Sequence, residues 1–229
     1  MKKYELTSET KVINGVKLHR IKALNSFGNT NEGDLGGWIE SEKNLSQYGD
    51  AWVGGNAMVF NDAWVGEDAT IDADATVCEN AKVSGNAIIF GNAWVGGKAM
   101  VFNDAWVSEN ATVCENATVR GNATVDGNAR ISGNAWVYDN AKVGGNAEVS
   151  GNAVVGESAD YIVFKNWWSS CRYFTWTRSN NKWKVGCFYG SGEELITKAY
   201  KDSEKSGREY ERVVKYVESI MEEENNDNE

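Results

Sequence analysis

From residue 50 to residue 157 the apolar positions recur every six residues and never slip. Each unit reads Asn or Asp, Ala, a variable residue, Val or Ile, then two small or polar residues, and eighteen such units follow one another without an insertion. Ala holds the second position and Val or Ile the fourth in every unit, and Lys98 alone departs from Asn or Asp at the first. Two residues apart, the Ala and the Val or Ile point to one side of a strand, and the variable residue between them points to the other. Positions five, six and one fall at a corner, where Gly, Asn and Asp tolerate positive φ. A period this strict predicts a parallel β-helix in which each hexad is one side of a prism. Three hexads then close a triangular coil, giving about six coils.

The pattern changes on both flanks. In residues 1–49, Val12-Ile13, Asn14-Gly15 and then Val16 to Ile21 read as a β-hairpin around the favoured two-residue turn. Trp38, Ile39 and Leu45 suit a cap over the first apolar rung, which solenoids need. After Asp160, residues 161–165, 171–178 and 182–189 read as three short strands. A helix over 192–201 comes next, with Ser191 as N-cap and Glu193 and Glu194 in its first turn. A second helix over 209–221 places Tyr210, Val213, Val214, Tyr216, Val217 and Ile220 near one face. The chain therefore reads as mainly β: a hairpin and cap over 1–49, a β-helix over 50–160, an α+β (βββαα) domain over 161–221 and a disordered acidic tail over 222–229.

Charge sharpens this division. The net charge of −10 belongs to the repeat and the tail, whereas residues 161–190 carry five basic side chains and no carboxylate. No apolar run of membrane-spanning length and no basic-then-apolar leader is present, so a soluble, cytosolic protein is expected. Cys78 and Cys114 stand 36 residues apart, two coils, beyond disulfide reach. Cys171 and Cys187 lie on neighbouring predicted strands and are expected to stay reduced in the cytosol.

The run Val53-Gly54-Gly55-Asn56-Ala57 and its repeats resemble the hexapeptide-repeat family of left-handed β-helices. The resemblance implies the handedness and raises the possibility of an acyltransferase; such enzymes run as trimers on acetyl-coenzyme A with an active-site His between subunits. Here the one His, His19, precedes the repeat, and no loop projects from residues 50–157. Acyl transfer therefore lacks its base, and the zinc-dependent carbonic anhydrases of this fold lack their three His ligands. The corner carboxylates follow no glycine-rich calcium pattern and read as solvated turn residues. No catalytic residue, metal or cofactor is assigned.

The variable position carries Trp52, Trp64, Trp94, Trp106 and Trp136. Residues 50–70 recur almost intact as 92–112, seven hexads on, so each copied Trp lands on another face. Outward Thr70, Thr76, Thr112, Thr118 and Thr124 likewise spread over three faces, which excludes a flat threonine array. The scattered Trp residues are expected to pack between subunits of a homotrimer.

The clearest candidate surface lies in residues 161–190, where ten of thirty residues are aromatic. Arg172, Phe174, Trp176 and Arg178 alternate onto one strand face, and Lys182, Lys184 and Phe188 onto one face of the next. With Lys165, this interleaving suits an acidic partner or a phosphate with a stacking base. The competing reading makes the aromatics a core and the cations a balance for the acidic helices. Gly33-Asp34-Leu35-Gly36-Gly37-Trp38-Ile39-Glu40, Lys3 to Thr7, and Trp183 to Gly190 with Glu193-Glu194-Leu195 and Glu209-Tyr210 resemble terminal modules of bacteriophage and prophage proteins. That resemblance implies a phage protein in the host bacterial cytoplasm, and the lack of catalytic residues makes it a non-enzymatic one. Its partner would be a host protein, such as an antiviral defence factor, or a nucleotide second messenger, with neither nucleic acid nor membrane favoured. The alternatives are an acyltransferase and a structural virion protein. An acidic rod that mimics DNA is disfavoured, because the carboxylates scatter among faces.

Overall fold

Asn14 and Gly15 both take left-handed backbone, at φ 50° and 82°, and turn β1 (Tyr4–Ile13) back onto β2 (Val16–Ala23). This twist matches that of paired strands, which is why Asn-Gly is favoured there. The structure is a computed structural model that describes residues 2–168 and 170–227. Its contacts divide it into two units, Met1–Asp160 and Tyr161–Glu229.

In the first unit β3 (Leu35–Ile39) pairs antiparallel with β2 and parallel with the first strand of one solenoid face. Every hexad then contributes a two-residue strand from its third and fourth positions, β4 (Trp52–Val53) through β21 (Val154–Val155). Three parallel sheets result. One continues from β3 through Met58, Thr76, Trp94, Thr112, Arg130 and Glu148. A second carries Trp52, Thr70, Ile88, Trp106, Thr124 and Lys142, and a third carries Trp64, Lys82, Met100, Thr118, Trp136 and Val154. Every second-position Ala and fourth-position Val or Ile is buried, so the interior is a stack of these two residue types. Each coil but the last donates backbone N–H groups to the coil after it, as in Trp52 N to Ala69 O (3.0 Å) and Gly54 N to Ile71 O (2.8 Å).

The solenoid has about seven turns, one more than the hexads alone define. Trp38 and Ile39 pair with Met58 and Val59, and Leu45 bridges Val65, so the expected cap is itself the first coil. Its offset from Ile39 to Val59 is twenty residues, against eighteen from Val59 to Val77, which is why a six-residue template passes over it.

Position six has positive φ in seventeen of the eighteen hexads: nine glycines, with Asn61, Glu67, Ala73, Glu79, Asn103, Glu109, Glu115 and Asp139. Non-glycine residues pay about 1 kcal/mol or more for this backbone, and three of the four glutamates have an offsetting contact. Glu67 and Glu115 accept the backbone N–H of Gly85 and Gly133 one coil on, at 2.6 and 2.7 Å, and Glu79 does the same for Gly97. The first-position amides form ladders, Asn92 to Asn110 to Asn128 to Asn146 and Asn116 to Asn134 to Asn152, each Nδ2 donating to the next Oδ1. The corner residues are thus a second hydrogen-bonded system, more than solvated turns.

The second unit is a four-stranded antiparallel sheet, β22 (Tyr161–Lys165), β23 (Tyr173–Thr177), β24 (Lys182–Val185) and β25 (Phe188–Gly190). Two helices come after it, α1 (Gly192–Asp202) and α2 (Glu204–Asp227). The expected third strand is in fact a hairpin, because Gly186 at φ 55° reverses the chain between β24 and β25. Ser191 caps α1: its Oγ accepts from Glu194 N (3.2 Å), while the Glu194 carboxylate accepts from Ser191 N (2.7 Å). Residues 222–227, expected to be disordered, are the last turns of α2, and residues 228–229 of that expected tail lie outside the described residues.

Candidate binding site

His19 lies in β2, half-buried, with Nδ1 3.3 Å from Thr7 O, and is paired across strands with Thr10 and Ile39. Among the described residues no three His, Cys, Asp or Glu side chains converge as metal ligands, and no helix is long and apolar enough to cross a membrane. All four thiols are free. Burial pushes Cys78 up to about 11, helped by the Glu79 carboxylate, and raises Cys114 as well, so neither is a ready nucleophile.

The five outward Trp residues divide by the residue two positions further along the chain. In Trp64-Val65-Gly66 and Trp94-Val95-Gly96 the ring folds over the glycine, where a Cβ would collide with it. Trp94 also packs with the cluster of Leu18, Trp38, Phe60 and Cys78, which the β1–β2 hairpin helps to build. Trp52 meets Phe27 edge to face at 5.5 Å and lies against Gly36. These three, expected at a subunit interface, are half-buried by their own chain. Trp106 and Trp136 precede Ser108 and Tyr138 and stay 47% and 45% exposed. The Arg120 guanidinium sits 5.5 Å from the Trp136 ring and 5.2 Å from that of Tyr138.

In the second unit Phe174 and Trp176 share a face of β23, and that face is the core; Arg172 and Arg178 lie just beyond the two ends of the strand. Phe174 and Trp176 are buried against Trp183, Val185, Leu195, Val214 and Val217, so they cannot be stacking platforms. The alternation holds, but the core claims the interior of the strand and leaves cations only at its ends. Lys182 and Lys184 point to the opposite face, whereas Phe188 packs with the core, because the β24–β25 turn breaks the expected alternation. On that opposite face Lys165 Nζ stands 5.6 Å from the Tyr173 ring. Arg178 forks onto Glu224 of α2, with Nη1 to Oε2 at 2.7 Å and Nη2 to Oε1 at 3.3 Å.

Two features emerge that the strand alternation does not single out. Trp167, in the β22–β23 connection, is 79% exposed. Its neighbour Trp168 packs on Phe174 and Tyr210, both at 6.0 Å, so the adjacent ring is turned outward. Lys165 and Arg172, at either end of this connection, are exposed, and the Arg172 side chain lies against Gly186. The signal available in the sequence is the Trp167-Trp168 pair outside any strand, of which the core can take only one. The second feature is a cleft of about 330 Å³ between the sheet and α2, lined among others by Trp176, Arg178, Trp183, Val214 and Met221.

The family described as YdcK Beta solenoid repeat matches residues 51–67, 81–97 and 129–145. The match lies within the solenoid, and the chain is similar to that family there. No curated protein matches the chain.

Proposed function

We propose that the protein is a non-enzymatic binding protein, a β-solenoid scaffold joined to a C-terminal unit that takes a partner through Trp167, Lys165 and Arg172. The observation that carries this reading is the exposure of Trp167 on a connection whose two ends carry the exposed cations Lys165 and Arg172. A solvated indole is an unfavourable use of about 200 Å² of apolar surface, and Trp and Arg are the commonest anchors of interfaces. Lys165 and Arg172 favour an acidic protein surface or a phosphate-bearing ligand. The resemblance of both chain ends to phage modules supports a phage-encoded protein that acts in the bacterial cytoplasm on a host defence factor or its nucleotide signal. The exposed Trp106 and Trp136 support self-association as a homotrimer.

The test is capture from a phage-infected bacterial lysate by the tagged chain, with proteins and released small molecules identified by mass spectrometry. A stoichiometric host protein or nucleotide should co-purify with the wild type and be lost with the Lys165, Trp167 and Arg172 to Ala triple variant. Recovery of the same set with both would overturn the reading, and recovery of virion proteins alone would move it to a structural role.

A further inference from the structure

The cleft between the sheet and α2 is apolar inside, with Trp176, Trp183, Val214, Val217 and Met221, and has one cation at its mouth, Arg178. Four of the five N–H donors of a guanidinium sit on its two terminal nitrogens, and here the Glu224 carboxylate takes one bond from each. The fifth, on Nε, is shielded from solvent and has no acceptor. Arg178 is therefore built for more acceptor than Glu224 supplies.

The element that carries Glu224 is poorly suited to its place. Glu222, Glu223 and Glu224 fall near the C-terminus of α2, where the helix dipole disfavours negative charge, and the last turn holds no cation. Glu218 and Glu222 both line the cleft one turn apart, a like-charge pair at a repulsive spacing. The composition of this stretch reads as disordered, yet it is helical and linked to the sheet through Arg178. The pair is only partly buried, with 37% and 43% of the two side chains exposed, so it is readily exchanged.

We propose that the cleft is a binding site for a small ligand that joins a carboxylate or phosphate to a planar apolar body, and that Glu224 is its built-in competitor. The ligand anion takes the Arg178 fork and gives Nε an acceptor, while its apolar body enters between Trp183 and Met221. Release of Glu224 frees the helix end to carry Glu222 away from the cleft, which lessens the repulsion on the bound anion and leaves Glu218 as the one carboxylate of the lining. This site is separate from the Trp167 surface and does not depend on it.

The test uses the full chain with 1-naphthyl phosphate, 1-naphthoate and uncharged 1-naphthol as probes. Binding is followed by the indole N–H resonances of Trp176 and Trp183 and by amide exchange over residues 222–227. Both anions should shift the Trp183 resonance and speed exchange in the helix end, and the naphthol should bind more weakly. Glu224→Gln should tighten anion binding by roughly fivefold, the weight of a half-exposed ion pair, and Arg178→Gln should abolish the preference for the anions. Preference for only one anion would identify which source the site serves. Equal binding of anions and naphthol, or unchanged affinity in Glu224→Gln, overturns the proposal. Retained dispersion of the Trp168 and Trp183 signals in Arg178→Gln separates a lost site from a lost fold.

Discussion

At the scale of the residue, the solenoid depends on what each side chain finds one coil away or two positions on. Trp64 and Trp94 at position three are half-buried because position five is glycine and the ring lies over the missing Cβ. Gly96→Ala should therefore lift Trp94, at a cost of about 1–3 kcal/mol from overpacking, with a red shift in its fluorescence. Ser108→Gly beside Trp106 should cost less than half as much, as measured by urea unfolding. Lys3 is a second test. It is buried, donates to Gly49 O (3.2 Å) and Ala51 O (2.8 Å), and sits 5.0 Å from the Phe27 ring. Burial lowers it from 10.5 to about 8, partly offset by the carboxylates of Asp50 and Asp68. Between about pH 8 and 10.5 the unfolded chain keeps this proton and the folded chain releases it, so stability should rise with pH across that window. Unfolding free energies of wild type and Lys3→Met from pH 7 to 10 check this: the wild type should gain on the variant as pH rises. A difference, wild type minus variant, that falls or stays constant as pH rises would contradict the assignment.

At the scale of the element, Asp and Asn are not equivalent at the first position. An amide both accepts and donates, so it passes a ladder on, whereas a carboxylate only accepts and ends it. Asn56 donates to Asp74 Oδ1 at 3.1 Å, and the next ladder restarts at Asn92. Asp74→Asn should join the two and raise stability by about 0.5 kcal/mol, at the low end for a hydrogen bond, while Asp74→Ala should lower it. Thermal melts of the two variants against wild type separate the outcomes. The hexad strands, their faces, the Asn-Gly hairpin and the Ser191 cap were legible because each rests on local spacing. The first coil was not, since its twenty-residue offset breaks the period. The acidic end of α2 was not, since composition sees the repulsion among Glu222, Glu223 and Glu224 but not the Arg178 fork that holds Glu224. For the candidate site, alternation put Arg172 and Arg178 in phase with Phe174 and Trp176, but it could not say which face the helices cover. Phe174 and Trp176 went to the core for that reason, and Trp167 was passed over because it lies on no strand.

At the scale of the whole molecule, one unit is a periodic stack with an Ala and Val interior and the other a small sheet-and-helix domain with an aromatic core. The solenoid's regularity leaves no projecting loop and, among the described residues, no cluster of metal-ligand type, whereas the second unit exposes Trp167 on a connection that Lys165 and Arg172 bound. Self-association has its own check. Sedimentation equilibrium at micromolar concentration should give a trimer for the wild type and a smaller species for Trp106→Ala with Trp136→Ala, and a wild-type monomer would contradict the role assigned to those two rings. Partner binding, the central claim, is tested most directly by titrating the purified captured partner into wild type and Trp167→Ala in a calorimeter. The account predicts saturable binding to the wild type and a loss of at least about tenfold in affinity for the variant, the size expected of an interface anchor. Equal affinity for the two would contradict it.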